Sequence, residues 1–137
     1  MASTYDLALV TPERRHLVTK ASFMVLRSVA GDLGILPGHT PLIAPLVPTP
    51  VDIRTETGRR WVFVSGGFLE VRPERVTVLA RTAEDAEKID VPRAERAKVR
   101  AEERIASQAE GVDVARAKAA LARAEGRLRT VMESREA

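Results

Sequence analysis

The 137-residue chain contains no cysteine. That removes disulfide staples, thiolate metal ligands and cysteine nucleophiles together, and it suits a reducing compartment. Histidine is nearly as scarce. His16 and His39 are the only two, and neither a catalytic triad nor a multi-histidine metal site can be read around them. No catalytic residue and no metal ligand is assigned. No apolar run approaches the roughly 20 residues that a bilayer-spanning helix needs. Met1-Ala2-Ser3-Thr4-Tyr5-Asp6 lacks a basic stretch leading into an apolar one, so it does not read as a secretory signal. The expectation is a chain without a membrane span, soluble or peripheral to something larger. Charge of one sign is also lacking: 22 basic against 19 acidic side chains leave a net +3. The arginines suit acidic protein surfaces and phosphates rather than a broad basic field.

What is present falls into two halves with different grammar. All five aromatics (Tyr5, Phe23, Trp61, Phe63, Phe68), seven of the eight prolines and six of the eight glycines precede Asp90. Beyond it the chain is mostly Ala, Arg and Glu, a helical composition. The boundary falls between Ala80 and Ile89, giving domains at 1–84 and 85–137. The first half reads as short strands between turns, the pattern of an all-β sandwich or barrel, and an antiparallel β-sandwich is expected. Tyr5, Leu7 and Leu9 alternate with Asp6 and Ala8. Residues 16–29 supply one long or two short strands. Val51, Ile53 and Thr55 alternate with Asp52 and Arg54, and Thr57-Gly58 offers a hairpin turn into Trp61-Val62-Phe63-Val64. Pro73-Glu74 turns between two further strands. The strands around Trp61 are expected at the centre of the core.

The second half reads as an antiparallel two-helix hairpin. Val114, Ala117, Leu121, Ala124, Leu128 and Val131 recur at steps of three and four, an apolar seam, with Asp113 as N-cap. Ala94, Ala97, Ala101 and Ile105 form a stripe on the preceding helix, and residues 107–111 can break the two apart. Alanine buries little area, so at about 25 cal/mol per Å² this seam docks weakly, which suits a moving part.

Each candidate motif has a structural explanation beside the functional one. Gly34-Ile35-Leu36-Pro37-Gly38-His39 is glycine-rich but lacks the Gly-Lys-Ser/Thr ending of a phosphate-binding P-loop; a loop with positive φ at glycine explains it. Ser65-Gly66-Gly67 lacks the glycine two residues before the serine that a nucleophile elbow needs, Phe63 standing there instead. In Ile89-Asp90-Val91-Pro92-Arg93-Ala94, Asp90 reads as a helix cap, with Pro92 in the first turn. Arg123 and Arg127 lie one turn apart on one helix face. They are either solvated or, with Arg93 and Arg100, converge on a polyphosphate between the folded helices.

Three stretches carry a family resemblance. Gly31-Asp32-Leu33-Gly34-Ile35-Leu36-Pro37-Gly38-His39-Thr40-Pro41-Leu42 resembles the signature loop of the epsilon subunits of bacterial F-type (rotary, proton-translocating) ATP synthases, with Asp32 where Glu is common. Val64-Ser65-Gly66-Gly67-Phe68-Leu69-Glu70-Val71, followed by Val76-Thr77-Val78-Leu79-Ala80, and the opening Leu9-Val10-Thr11-Pro12-Glu13 are similarly placed in that family. The resemblance runs over the whole chain, and its β-then-hairpin order agrees.

The resemblance implies a noncatalytic subunit of the central stalk, bound to the gamma subunit and to the membrane-embedded c-subunit ring. It would be peripheral, on the cytoplasmic face of the bacterial plasma membrane. Loops around Asp32 and His39 would face the ring. The hairpin would fold beside the sandwich or extend into the catalytic head, against the alpha and beta subunits, where it opposes ATP hydrolysis. No cofactor is implied as a requirement. In some members the folded hairpin binds ATP as a regulatory ligand through an Ile/Leu-Asp-x-x-Arg-Ala motif, intact here at Ile89, Asp90, Arg93 and Ala94. Glu84, Arg100, Arg123 and Arg127 match its other ligand positions. Pro92 falls at a variable position, where it could alter the helix entry angle and weaken the site. The rival reading, a basic adaptor binding nucleic acid through the hairpin, requires stacking aromatics on a basic face, and the hairpin has no aromatic. A small independent enzyme lacks a nucleophile, base and metal constellation.

Overall fold

A computed structural model describes residues 3–107 and 111–137. The central part of the expected helix break, and the first two residues, therefore lie outside the described residues. Ten strands come first: β1 (Tyr5–Val10), β2 (Arg15–Ala21), β3 (Phe23–Ser28), β4 (Gly31–Ile35), β5 (Leu42–Leu46), β6 (Thr49–Thr55), β7 (Gly58–Val64), β8 (Gly67–Val71), β9 (Val76–Ala80) and β10 (Ala83–Asp85). A 3-10 turn (Ala86–Lys88) leads into helices α1 (Val91–Ser107) and α2 (Val114–Glu136). The expected β-sandwich and helical hairpin are both present. β10 carries the strand register one residue past Glu84, to Asp85.

The strands follow the order β10-β7-β6-β3-β5-β8-β9-β1-β2, with β4 paired to β3. All pairings are antiparallel except β1 with β9, where Leu7 lies opposite Val76 and Leu9 opposite Val78 in a parallel ladder. Alternation places Leu7, Leu9, Met24, Leu26, Val51, Ile53, Val62, Val64, Leu69 and Val78 in one closed core. The β6–β7 hairpin turns through Glu56 and Thr57, one residue earlier than expected, because Thr55 pairs with Gly58. Of the two loop glycines, Gly38 does need positive φ, at 80°. Gly34 instead lies on β4, and a Cβ there would stand 3.1 Å from the Phe23 ring.

Phe63 departs from the expected core. It is fully buried, but with Ile89 and Val131 and against Val91, in a second cluster between the sandwich and the hairpin. The cause is α2, which lies over β6 and β7. That helix buries Ala117 and Ala124, as the seam implies, and also Gly126, Thr130 and Val131. The same cover buries Asp52, which strand alternation puts toward solvent. Its carboxylate is held by Arg59 through two contacts of 2.8 and 2.7 Å. The hairpin thus docks through more than an alanine seam, since an aromatic and a close helix–strand approach add to it.

Two end strands of the sheet path, β2 and β10, are joined by side chains. Half-buried His16 of β2 meets Asp85 of β10 at 3.0 Å, and Arg60 of β7 reaches the same oxygen at 3.1 Å. Burial pushes the Asp85 carboxyl up, but the hydrogen bonds and charges of His16 and Arg60 outweigh it and hold the group below the usual carboxylate range.

Candidate functional site

The segment from Glu84 to Arg100 turns a sheet into a helix within a few residues, and this turn builds a cavity. Glu84 lies on β10, opposite Phe63. The 3-10 turn ends at Lys88, and Ile89 drops into the Phe63 cluster, which pins the chain at the domain junction. Asp90 caps α1: its Oδ1 accepts from the Arg93 N–H at 3.1 Å and its carbonyl from the Ala94 N–H at 3.0 Å. Pro92 therefore sits in an intact first turn, where a missing N–H costs nothing.

The resulting cavity, about 340 Å³, is lined by Glu84, Lys88, Asp90, Arg93, Ala94, Ala97, Arg100 and Arg127. Arg93, Ala97 and Arg100 face it from one side of α1, at steps of four and three. Arg127 arrives from α2 and bonds Glu84 at 2.7 Å while its guanidinium lies 5.1 Å from the centre of the Phe63 ring. The structure thus brings together Glu84, Asp90, Arg93, Ala94, Arg100 and Arg127 from the set named in the sequence. Ile89 lies behind the cavity in the apolar cluster. Arg123 stands one helical turn from Arg127 and outside the lining.

Lys88 escapes the sequence reading, because a single lysine in a connecting turn carries no periodicity. Phe63 sits in a different core from the one alternation suggests, because alternation cannot say which layer covers a strand's outer face. Among the described residues, no ion pair engages the side chains of Lys88, Arg93 or Arg100. The cavity is a cationic cleft whose two carboxylates are already engaged, Glu84 by Arg127 and Asp90 by the helix N-terminus. Such a set can hold a phosphate chain by charge-assisted hydrogen bonds.

Asp32 and His39 are not brought together. Asp32 is near the start of β4, bonded to Arg27 at 2.8 Å. That hydrogen bond lowers its pKa against the opposing effect of desolvation, with the Arg27 and Arg129 charges adding to it. It borders a cleft shared with Arg129 and Glu133 of α2. His39 follows the far end of β4, with Nδ1 at 2.8 Å from the Thr40 carbonyl. About 10 Å of strand separates Asp32 from that end. Ser65 ties two connections of the sandwich together, since its Oγ accepts from the Thr82 N–H at 3.1 Å and meets the Thr82 hydroxyl at 2.7 Å.

The family model for the ATP synthase delta/epsilon chain β-sandwich domain matches residues 4–86, and that for the long α-helix domain of the same chains matches residues 87–132. The chain belongs to the ATP synthase delta/epsilon chain family. Curated relatives agree with this family assignment. The chain is 48% identical over 103 residues to the ATP synthase epsilon chain of Exiguobacterium sp., covering 74% of this chain and 76% of the relative. It is 51% identical over 102 residues to that of Desulforudis audaxviator, covering 74% of each. Among solved structures, a chain of the Euglena gracilis mitochondrial ATP synthase, OSCP/F1/c-ring, superposes with a TM-score of 0.82 at 23% identity, over 98% of this chain and 82% of that one. That likeness is one of fold. A delta/epsilon family member therefore carries the cationic cleft at its own domain junction. No helix of the described residues is long and apolar enough to cross a membrane.

Proposed function

We propose that the chain is a noncatalytic central-stalk subunit of a rotary ATP synthase, whose docked hairpin binds ATP and whose released hairpin opposes ATP hydrolysis. Family membership over both domains supports the stalk role. The observation that carries the regulatory part is the cleft itself. Its walls come from the junction, from α1 and from α2, so a polyphosphate within it touches all three only when the hairpin is folded down. A ligand that binds one form stabilises that form by RT ln(1 + [L]/Kd), about 2.7 kcal/mol at a hundredfold excess over Kd. Falling ATP then frees the hairpin.

The sandwich would bind the gamma subunit and the c-subunit ring, at the cytoplasmic face of the bacterial plasma membrane. The freed α2 would meet the alpha and beta subunits. That helix carries Arg116, Lys118, Arg123, Arg127, Arg129 and Arg135 against Glu125, Glu133 and Glu136, and such a basic surface suits an acidic partner. Deleting the chain from Asp90 onward tests the reading in the assembled synthase. Hydrolysis should rise, most at low ATP, while gradient-driven synthesis largely survives. Equal hydrolysis by intact and truncated complexes across the ATP range would leave only a coupling role.

A further inference from the structure

The cleft holds one cation that belongs to neither helix. Lys88 is the last residue of the 3-10 turn, exposed, and it lines the same cavity as the α1 arginines. Four cations (Lys88, Arg93, Arg100, Arg127) face two carboxylates (Glu84, Asp90). Glu84 is engaged by the Nε–H of Arg127 at 2.7 Å, and Asp90 is committed to its cap. Lys88, Arg93, Arg100 and the terminal nitrogens of Arg127 remain for a ligand, and the small Ala94 and Ala97 leave room between them. Arg93 and Arg100 are fixed to α1 and move with the hairpin. Lys88 stays with the linker, one residue before Ile89 anchors in the apolar junction.

We propose that Lys88 is a phosphate-binding residue of this cleft, and that it makes the site prefer a nucleoside triphosphate over the diphosphate by tying the end of the phosphate chain to the linker. The inference rests on the ATP-binding reading above and adds the residue that grades phosphate number. A diphosphate satisfies the two arginines of α1 and leaves the ammonium unused. A triphosphate spans from α1 to Lys88, so its last phosphoryl group is the one that closes the linker against the hairpin. An ammonium suits this end of the chain, because a point charge on a flexible stem needs no bidentate geometry.

The test is calorimetric titration of the whole chain with ATP, ADP and inorganic triphosphate, for wild type, Lys88→Gln and Lys88→Arg. Loss of one charge-assisted contact predicts about a tenfold or greater loss of ATP affinity in Lys88→Gln. ADP should weaken much less, so the ATP-to-ADP preference should shrink, and Lys88→Arg should restore most of it. Unchanged thermal unfolding of both variants, expected for an exposed position, separates binding from folding. Wild-type ATP affinity in Lys88→Gln, or equal losses for ATP and ADP, would overturn the role of Lys88 while leaving the site intact. Absence of ATP binding by the wild type would overturn the site itself and this inference with it.

Discussion

Replacing Gly126 by alanine adds a single methyl group where the hairpin meets the sandwich. An alanine Cβ there would stand 2.6 Å from Phe63 Cε1, with Cδ1 at 3.3 Å and Cζ at 3.5 Å. Phe63 cannot yield freely, since it is fully buried and packed against Ile89 and Val131. Overpacking of this kind costs about 1–3 kcal/mol. The alanine also favours helix by about 1 kcal/mol over glycine, but α2 gains this in the docked and released states alike, so it cancels from the docking equilibrium. Docking should therefore weaken roughly five- to a hundredfold, at about 1.4 kcal/mol per factor of ten. Because the chain has no cysteine, two introduced at exposed Glu74 and Lys118 can carry a fluorescent distance pair without interference. The variant should show a larger population at long distance and a hairpin that stays helical by circular dichroism. An unchanged distance distribution would refute the idea that the Gly126–Phe63 approach holds the hairpin down.

A fragment ending at Lys88 should unfold cooperatively, because every member of the main core lies between Leu7 and Ala80; it should also bind an apolar dye more strongly than the whole chain, through uncovered Phe63. Gradual melting of the fragment would show that the hairpin is part of the folding unit. Arg127→Ala should weaken ATP binding by about 1.5–3 kcal/mol, whereas Arg123→Ala should change it by less than about 0.5 kcal/mol, and equal effects would place Arg123 in the site. For Asp85, the folded carboxyl lies below its ordinary range, so its stabilisation is complete above the usual Asp pKa of about 3.9 and is lost as pH falls through the folded value. Urea midpoints of wild type and Asp85→Asn should hence differ at neutral pH and converge in acid, and a constant gap would contradict the His16–Asp85–Arg60 account.

Legibility in the sequence tracks the range of the interaction. Strand alternation locates Leu7, Leu9, Val51 and Ile53 correctly, because a period of two is a local property. It misplaces Asp52 and Phe63, since only the course of α2 makes the outer face of β6 and β7 an interior surface. The parallel pairing of β1 with β9 joins segments roughly 70 residues apart, and no local pattern encodes it. In the cleft, Asp90 is legible as the cap of α1 and Arg93 and Arg100 as cations on that helix, whereas Glu84 and Ala94 are named only through the family resemblance. Helical spacing puts Arg123 and Arg127 on one face and offers both to a ligand. The structure lines the cleft with Arg127, held there by its ion pair to Glu84 at 2.7 Å.

The central claim is that ATP holds the hairpin in its docked form. The direct measurement is the distance distribution between labels at positions 74 and 118 in the isolated chain, recorded as ATP is titrated. Saturating ATP should shift the population toward the docked distance, with a midpoint equal to the calorimetric Kd. It should also restore docking in Gly126→Ala at higher ATP than wild type needs. A distribution that stays constant while ATP binds, or that moves toward release, would contradict the account.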